Sequence, residues 1–371
     1  MRLTDLTTWV VNVPYRTPFV SSFEVRRGTT RTVVRLRTDE GLVGWGETMH
    51  GSPVAALVER LFADYRGTDP FAVEAMAQRL AMVPFFHGYV GYCAMAALEM
   101  ACHDLMGKAT GQPLVNLVGG AVRGEVPVTY VLTPPEGEVS AGALVEETAA
   151  ALAAGGYPAV KLKGSADPAH DVALLEALRA AFPDLALRVD PNGHWPVADT
   201  IRLAGRLEAL NLEYLEDPCW GLEAMAQVRA RVRVPLCTNM CVVTFDDVAP
   251  ALRLGAVDVV HGDVHKWGGI APTRRLAGVC ATLGWGMNLH SGGELGLSTA
   301  AHLHVAAATP QIRYPIDTVY PRYADDILPT PLPLADGVMR PPLGPGLGIA
   351  PDEDRLRHYA RRHATEGDLL T

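Results

Sequence analysis

No Cys-x-x-Cys pair occurs in this sequence, and six cysteines are few for 371 residues. A disulfide scaffold or a cysteine-rich metal site is therefore not the expected organising feature, and reduced thiols in a cytoplasmic protein are. Basic residues are nowhere concentrated. The densest groups, "RRGTTRTVVRLR" (26–37) and "RLRHYARR" (355–362), are diluted by other residues, and the formal net charge is −9. That argues against a nucleic-acid surface but leaves room for an acidic small molecule at a local site. No apolar run reaches the length needed to cross a membrane. The start, "MRLTDLTTWVVNVP", lacks the basic flank and apolar core of a signal peptide. "GGAVRG" (119–124) and "KWGGI" (266–270) do not form the Gly-x-Gly-x-x-Gly pattern, so no nucleotide is indicated.

What is present is an ordinary globular balance, 49% hydrophobic and 20% charged, in a chain long enough for two domains. Residues 1–50 read as β. In "RTVVRLRTDEGLVGWGET" (31–48) two extended runs flank Asp-Glu-Gly, which predicts an antiparallel hairpin. Residues 53–122 read as helical, so residues 1–125 form an α+β unit. From Val126 to about residue 324, short apolar strands alternate with helical stretches, which predicts βαβ units and a parallel sheet. Strands are expected at 126–132, 158–163, 185–190, 212–217, 235–240, 258–263, 286–290 and 312–317, with helices including 170–182, 198–210 and 272–284. Eight such strands make a barrel the natural architecture. The Pro- and Gly-rich tail, 325–371, is expected to return to the first unit and end in a short charged helix.

The strongest signal is a spacing. Lys163, Asp190, Glu216, Asn239, Asp263, His290 and Asp317 each close an expected strand, at intervals of 27, 26, 23, 24, 27 and 27 residues. In a (β/α) barrel the C-terminal strand ends converge on one face, where the active site is built. Seven polar side chains far apart in sequence would then surround one pocket.

Their chemistry sorts by type. Asp190, Glu216 and Asn239, from three consecutive strands, offer only oxygen ligands, which suits Mg²⁺. Lys161 and Lys163 alternate onto one strand face, and mutual repulsion would favour one of them as a base. Asp263 beside His290 is the pairing expected to orient an imidazole for general acid/base work. A metal between two proton-transfer groups suits abstraction of the proton α to a carboxylate, through a metal-stabilised enediolate.

These residues resemble the enolase superfamily, in its mandelate racemase subgroup, over essentially the whole chain. The resemblance implies a (β/α)7β-type TIM barrel under an N-terminal α+β capping domain that is completed by the C-terminal tail. Within the subgroup the pattern is most similar to glucarate dehydratases. "VKLKG" resembles their Lys-x-Lys motif, with Lys163 as base and Lys161 as its charged neighbour. "VDPNG" implies Asp190 as first metal ligand and Asn192 as a substrate contact, "YLEDPC" implies Glu216, and "TNM" implies Asn239. "GDVHKWGG" supplies Asp263, "NLHSGG" supplies His290 and "PIDT" supplies Asp317, a further substrate contact together with Lys161. The implied activity is a Mg²⁺-dependent dehydratase of a sugar acid. A racemase or epimerase is the alternative, and a non-catalytic metal-binding member is a second. The implied partner is a small-molecule carboxylate, with homo-oligomers as in the family. The sequence departs from glucarate dehydratases at His194 and in "YRTPFVSSFEVRRG" (15–28), the expected lid, which bears on the substrate rather than on the chemistry.

Other polar residues are expected to be structural. Cys237 and Cys241 flank Asn239, but no further Cys or His stands at ligand spacing. Cys219 is read as packing, His302 and His304 as structural or interfacial, and His265 and Lys266, which follow Asp263 and could reach substrate, in the first place as loop residues. Arg16, Arg26, Arg27 and His50 are candidates for a distal carboxylate or hydroxyl.

Overall fold

The structure is a computed structural model that describes residues 1–134 and 140–369. It begins with an antiparallel sheet in the order β1 (Leu3–Val20), β2 (Val25–Thr38), β3 (Val43–Met49). The expected turn lies between β2 and β3, where Gly41 takes φ +80° and Thr38 N–H bonds Leu42 O at 3.1 Å. The helix Val83–Thr110 packs on this sheet. Gly44 and Gly46 make that approach possible, because a Cβ on either would strike the helix backbone at Ala101 O or Ala97 O. Two glycines two residues apart, on one strand face, thus let an Ala-rich helix lie directly on β3.

The barrel follows: β4 (Val126–Leu132), β5 (Ala159–Lys163), β6 (Ala186–Asp190), β7 (Tyr214–Glu216), β8 (Leu236–Thr238), β9 (Val259–Gly262), β10 (Gly286–Leu289) and β11 (Ile316–Thr318). β4 to β10 pair in parallel in chain order, and β11 returns to the other edge of β4. A single parallel bridge, Met287 to Ile312, closes the ring between β10 and β11. All eight expected strands are present, mostly a residue or more shorter than expected. The helix expected over 198–210 is broken into Val197–Arg202 and Ala204–Ala209, where Leu203 leaves the α region at φ −90°, ψ 2°.

The tail does more than return to the first unit. β12 (Leu334–Ala335) and β13 (Val338–Met339) form a minimal hairpin, and β13 pairs antiparallel with the start of β4. Its two-residue turn, Asp336-Gly337, has positive φ at both positions, as such turns require. The chain has already met β1 through a bridge between Tyr15 and Tyr323, and it ends on the same strand, against which the helix Glu353–Glu366 packs. Buried Asp104 ties tail to cap, accepting from Trp45 N and Leu347 N, each at 2.8 Å. Among the described residues no helix is long and apolar enough to cross a membrane.

Candidate active site

A cavity of about 540 Å³ lies between the capping sheet and the C-terminal ends of the barrel strands. Phe19, Arg26, Arg31, Met49 and His50 line it from the cap, and Lys163, Asn192, Asn239, Lys266 and His290 from the barrel. Of the strand-end residues, Lys163, Asn239 and His290 line this cavity, while Asp190, Glu216, Asp263 and Asp317 lie behind its wall, each at most 1% exposed.

At the upper level Lys163 and Asp190 are register partners on β5 and β6. Lys163 Nζ lies 2.5 Å from Asp190 Oδ2 and 3.3 Å from Asn192 Oδ1. Asn192 and Gly193 both take positive φ, which turns the chain sharply after β6. The turn brings Asn192 N to 2.9 Å from Asp190 Oδ1 and its Nδ2 to 3.1 Å from Oδ2. Glu216 is reached by Lys161 Nζ at 2.9 Å, Asn239 Nδ2 at 2.5 Å and His261 Nδ1 at 3.2 Å. Burial works against the charge on Glu216, but His261 and Lys161 outweigh it and hold the carboxyl well below its usual range. Asp217 organises the next strand end: it accepts from Thr238 Oγ1 at 2.5 Å and Asn239 N at 2.8 Å. Burial, with Asp190 and Glu216 nearby, pushes Asp217 up to about 7.

On the far side Asp263 Oδ2 accepts from His290 Nδ1 at 2.9 Å. That leaves His290 Nε2 for the cavity, whose wall includes His290. Burial and then the Lys266 ammonium lower His290 to about 4, against the opposing pull of Asp263.

Lys161 and Asp317 do not line the cavity. Lys161 points to the same side as Lys163 but two residues earlier, roughly 6.6 Å deeper along the strand. There it forms an ion pair with Asp317, which Arg188 also contacts at 3.3 Å, and all three are at most 2% exposed. Burial disfavours the Lys161 ammonium, but Asp317 and Glu216 win and raise its pKa. So the expected repulsion between two lysines is absorbed by carboxylates below. Of the three residues expected to touch substrate, Asn192 lines the cavity, whereas Lys161 and Asp317 sit in a charged layer inside the barrel, where aliphatic side chains are usual.

Several contributors escaped the sequence reading. Lys266, buried on the cavity wall, donates to Asn239 O at 2.6 Å and Oδ1 at 3.1 Å. His261 and Arg188 complete the deep layer, and His265 touches Asp263. For Lys266 and His265 the signal was adjacency, since "DVHK" follows the end of β9 directly. His194 braces the lid: its Nδ1 lies 3.1 Å from Ser22 Oγ, and its ring stacks on Phe23 at 6.1 Å between centroids. Arg26 lines the cavity over the Phe19 ring, with Nε 2.8 Å from Glu24 Oε1. Arg16 bonds Tyr323 O at 2.9 Å, away from this cavity.

The donor set fits Mg²⁺ in type. Asp190 and Glu216 present buried carboxylate oxygens whose present partners are ammonium and amide hydrogens, the positive neighbours a cation would replace. Asn239 would join them through Oδ1 after a half-turn of its amide, because Nδ2 now faces Glu216 and Oδ1 faces Lys266. Amide orientation follows the hydrogen-bond network. Two other buried clusters carry metal-ligand atoms, Glu216–Cys237–His261 and Asp263–His265–His302. The first shares Glu216 with the oxygen donor set, and in the second Arg31 is bonded to His265. Burial also raises the Cys237 thiol well above its ordinary value, against thiolate formation.

A capped α/β barrel with oxygen donors and proton-transfer groups at its strand ends has the architecture of the enolase superfamily. Residues 4–119 match the family described as Mandelate racemase / muconate lactonizing enzyme, N-terminal domain, and residues 143–355 match Enolase C-terminal domain-like. The chain belongs to this mandelate racemase / muconate lactonizing enzyme family of the enolase superfamily. It is 38% identical to a curated protein of Streptomyces coelicolor named probable glucarate dehydratase, covering 92% of this chain and 87% of that one. It is 57% identical to a crystal structure of an enolase from Streptomyces coelicolor, with a TM-score of 0.97 and all of both chains covered. An enolase from Thermobispora bispora, solved with magnesium and formate, is 33% identical with a TM-score of 0.93, covering 100% of this chain and 95% of that one. Other curated relatives include a racemase and muconate cycloisomerases.

Proposed function

We propose that the protein is a Mg²⁺-dependent dehydratase of a sugar acid, an aldonate or aldarate, that forms a 2-keto-3-deoxy acid. One observation carries the reading: Lys163 and His290, three strands apart around the ring, line a single cavity. Asp190, Glu216 and Asn239 lie along the longer arc between them. Mg²⁺ held by those three residues would supply the positive charge that a carboxylate needs as its α-proton leaves.

His290, neutral at pH 7 with its lowered pKa, presents the Nε2 lone pair and takes the proton from C2. The C–H electron pair first moves into the carboxylate as an enediolate, then returns to form the C2–C3 double bond as the C3–O bond breaks. The hydroxyl leaves as water with the proton that His290 now carries. The enol then tautomerises to the keto acid. Lys163 is the corresponding base for acids of opposite configuration at C2, and Asn192 and Lys266 are polar contacts for the bound acid. The protein acts in the cytoplasm as a homo-oligomer, in keeping with its six free cysteines and its family.

A second reading, racemisation or epimerisation at C2, uses the same residues and is favoured by a proton-transfer group on each side of the cavity. A racemase is also among the relatives. Incubating a panel of mono- and diacid sugars with Mg²⁺ and assaying 2-keto acids separates the two. A keto product from at least one acid is expected. Exchange at C2 with no keto product from any acid would replace the first reading by the second.

A further inference from the structure

Asp263 is held from both sides. Oδ2 meets His290, while Oδ1 accepts the His265 backbone N–H at 2.7 Å and lies 2.9 Å from His265 Nδ1. The other ring nitrogen, Nε2, is 2.9 Å from a terminal nitrogen of Arg31 and 2.8 Å from Ser298 Oγ. Arg31 belongs to β2 of the cap, and its Nε is fixed 2.7 Å from Glu47 Oε1 on β3. Arg31, Glu47, Asp263, His265 and Ser298 are all fully buried.

A guanidinium only donates, so His265 Nε2 turns its lone pair toward Arg31. The ring hydrogen is then on Nδ1, aimed at Asp263. A hydrogen on Nε2 would set two donors against each other at 2.9 Å between fully buried side chains. Glu47 keeps Arg31 in place, because its carboxylate also accepts Leu295 N and Ser298 N, each at 2.9 Å. The plane of the Asp263 carboxylate, and so the direction from which it meets His290, is set by a chain of bonds that starts in the capping sheet.

We propose that His265 is a positioning residue for the Asp263–His290 pair, with its tautomer fixed by Arg31 of the cap. Seating the cap on the barrel thus completes the proton-transfer group as well as closing the cavity. The inference rests on the reading of His290 as a proton-transfer group.

The test is nitrogen NMR of the full-length protein carrying isotope-labelled histidine, with no substrate added. His265 is assigned by the signals lost on its substitution. In the unmodified protein its Nδ1 should carry the ring proton and its Nε2 none. His265→Phe should cost His290 its single Nδ1–H form and shift its titration. His265→Asn, which places an amide N–H where Nδ1–H stood, should restore both. A proton on His265 Nε2 in the unmodified protein overturns the proposal, as do unchanged His290 signals in a folded His265→Phe. If His265→Phe does not fold, the unmodified protein and His265→Asn decide. No substrate enters the measurement, so a failed dehydration assay and a failed spectrum are separate outcomes.

Discussion

Replacing Lys161 by methionine keeps the volume of the side chain and removes its charge from between Glu216 and Asp317. Both carboxylates are at most 1% exposed, and removing one partner of a buried pair typically costs about 3–5 kcal/mol. The low end applies here. Asp317 keeps Arg188 at 3.3 Å, and Glu216 keeps His261 at 3.2 Å and Asn239 at 2.5 Å. A loss of about 3 kcal/mol lowers the melting temperature by roughly 5 °C in a chain of this size. The assay is thermal unfolding in EDTA and again in Mg²⁺. Removing an ammonium from beside Glu216 also removes repulsion against a cation, so Mg²⁺ should bind Lys161→Met more tightly than it binds the unmodified protein. By mass action, metal at about a hundred times its Kd stabilises by about 2.7 kcal/mol, so the deficit should shrink when Mg²⁺ is added. An unchanged melting temperature in EDTA, or a deficit that grows with Mg²⁺, refutes this account of the deep layer.

Three further perturbations address other parts of the structure. His50, His290 and His304 are each held near 4, chiefly by burial, against an ordinary value of 6.5. Between those values the unfolded chain binds more protons than the folded one, so stability is full above 6.5 and falls as the pH drops toward 4; urea titrations across that window should show it. Gly46→Ala should cost about 1–3 kcal/mol by overpacking against Ala97 O, whereas Gly142→Ala, in open helix surface, should be neutral or stabilising in the same melting assay. Asn239→Asp sets a second carboxylate against Glu216, so it should destabilise the protein in EDTA and tighten Mg²⁺ binding measured by calorimetry.

The barrel was legible because βα units are local: a polar residue marks the end of seven of the eight strands, at intervals of 23–27 residues. What the spacing does not encode is depth. Lys161 and Lys163 are equivalent by alternation, yet one pleat separates a cavity residue from a sealed ion pair, and that depends on where the barrel rim falls. The same difference in depth keeps Asp317 off the cavity wall. The Asp263–His290 pair was readable as neighbouring strand ends, but the support behind it was not. Arg31 and His265 stand 234 residues apart and meet only because the cap docks on the barrel. In the tail, strands of two residues are too short for any periodicity, although Asp-Gly at 336–337 was a usable turn signal.

The central claim is that Lys163 and His290 reach the two faces of one α-carbon, and solvent deuterium exchange at C2 tests it most directly. The measurement follows both C2 epimers of a sugar acid in D₂O with Mg²⁺, using the unmodified protein, Lys163→Ala and His290→Asn. Each substitution should abolish exchange of one epimer, by about a hundredfold or more, and leave the other epimer exchanging. Exchange of both epimers at the unmodified rate in either variant would contradict the account.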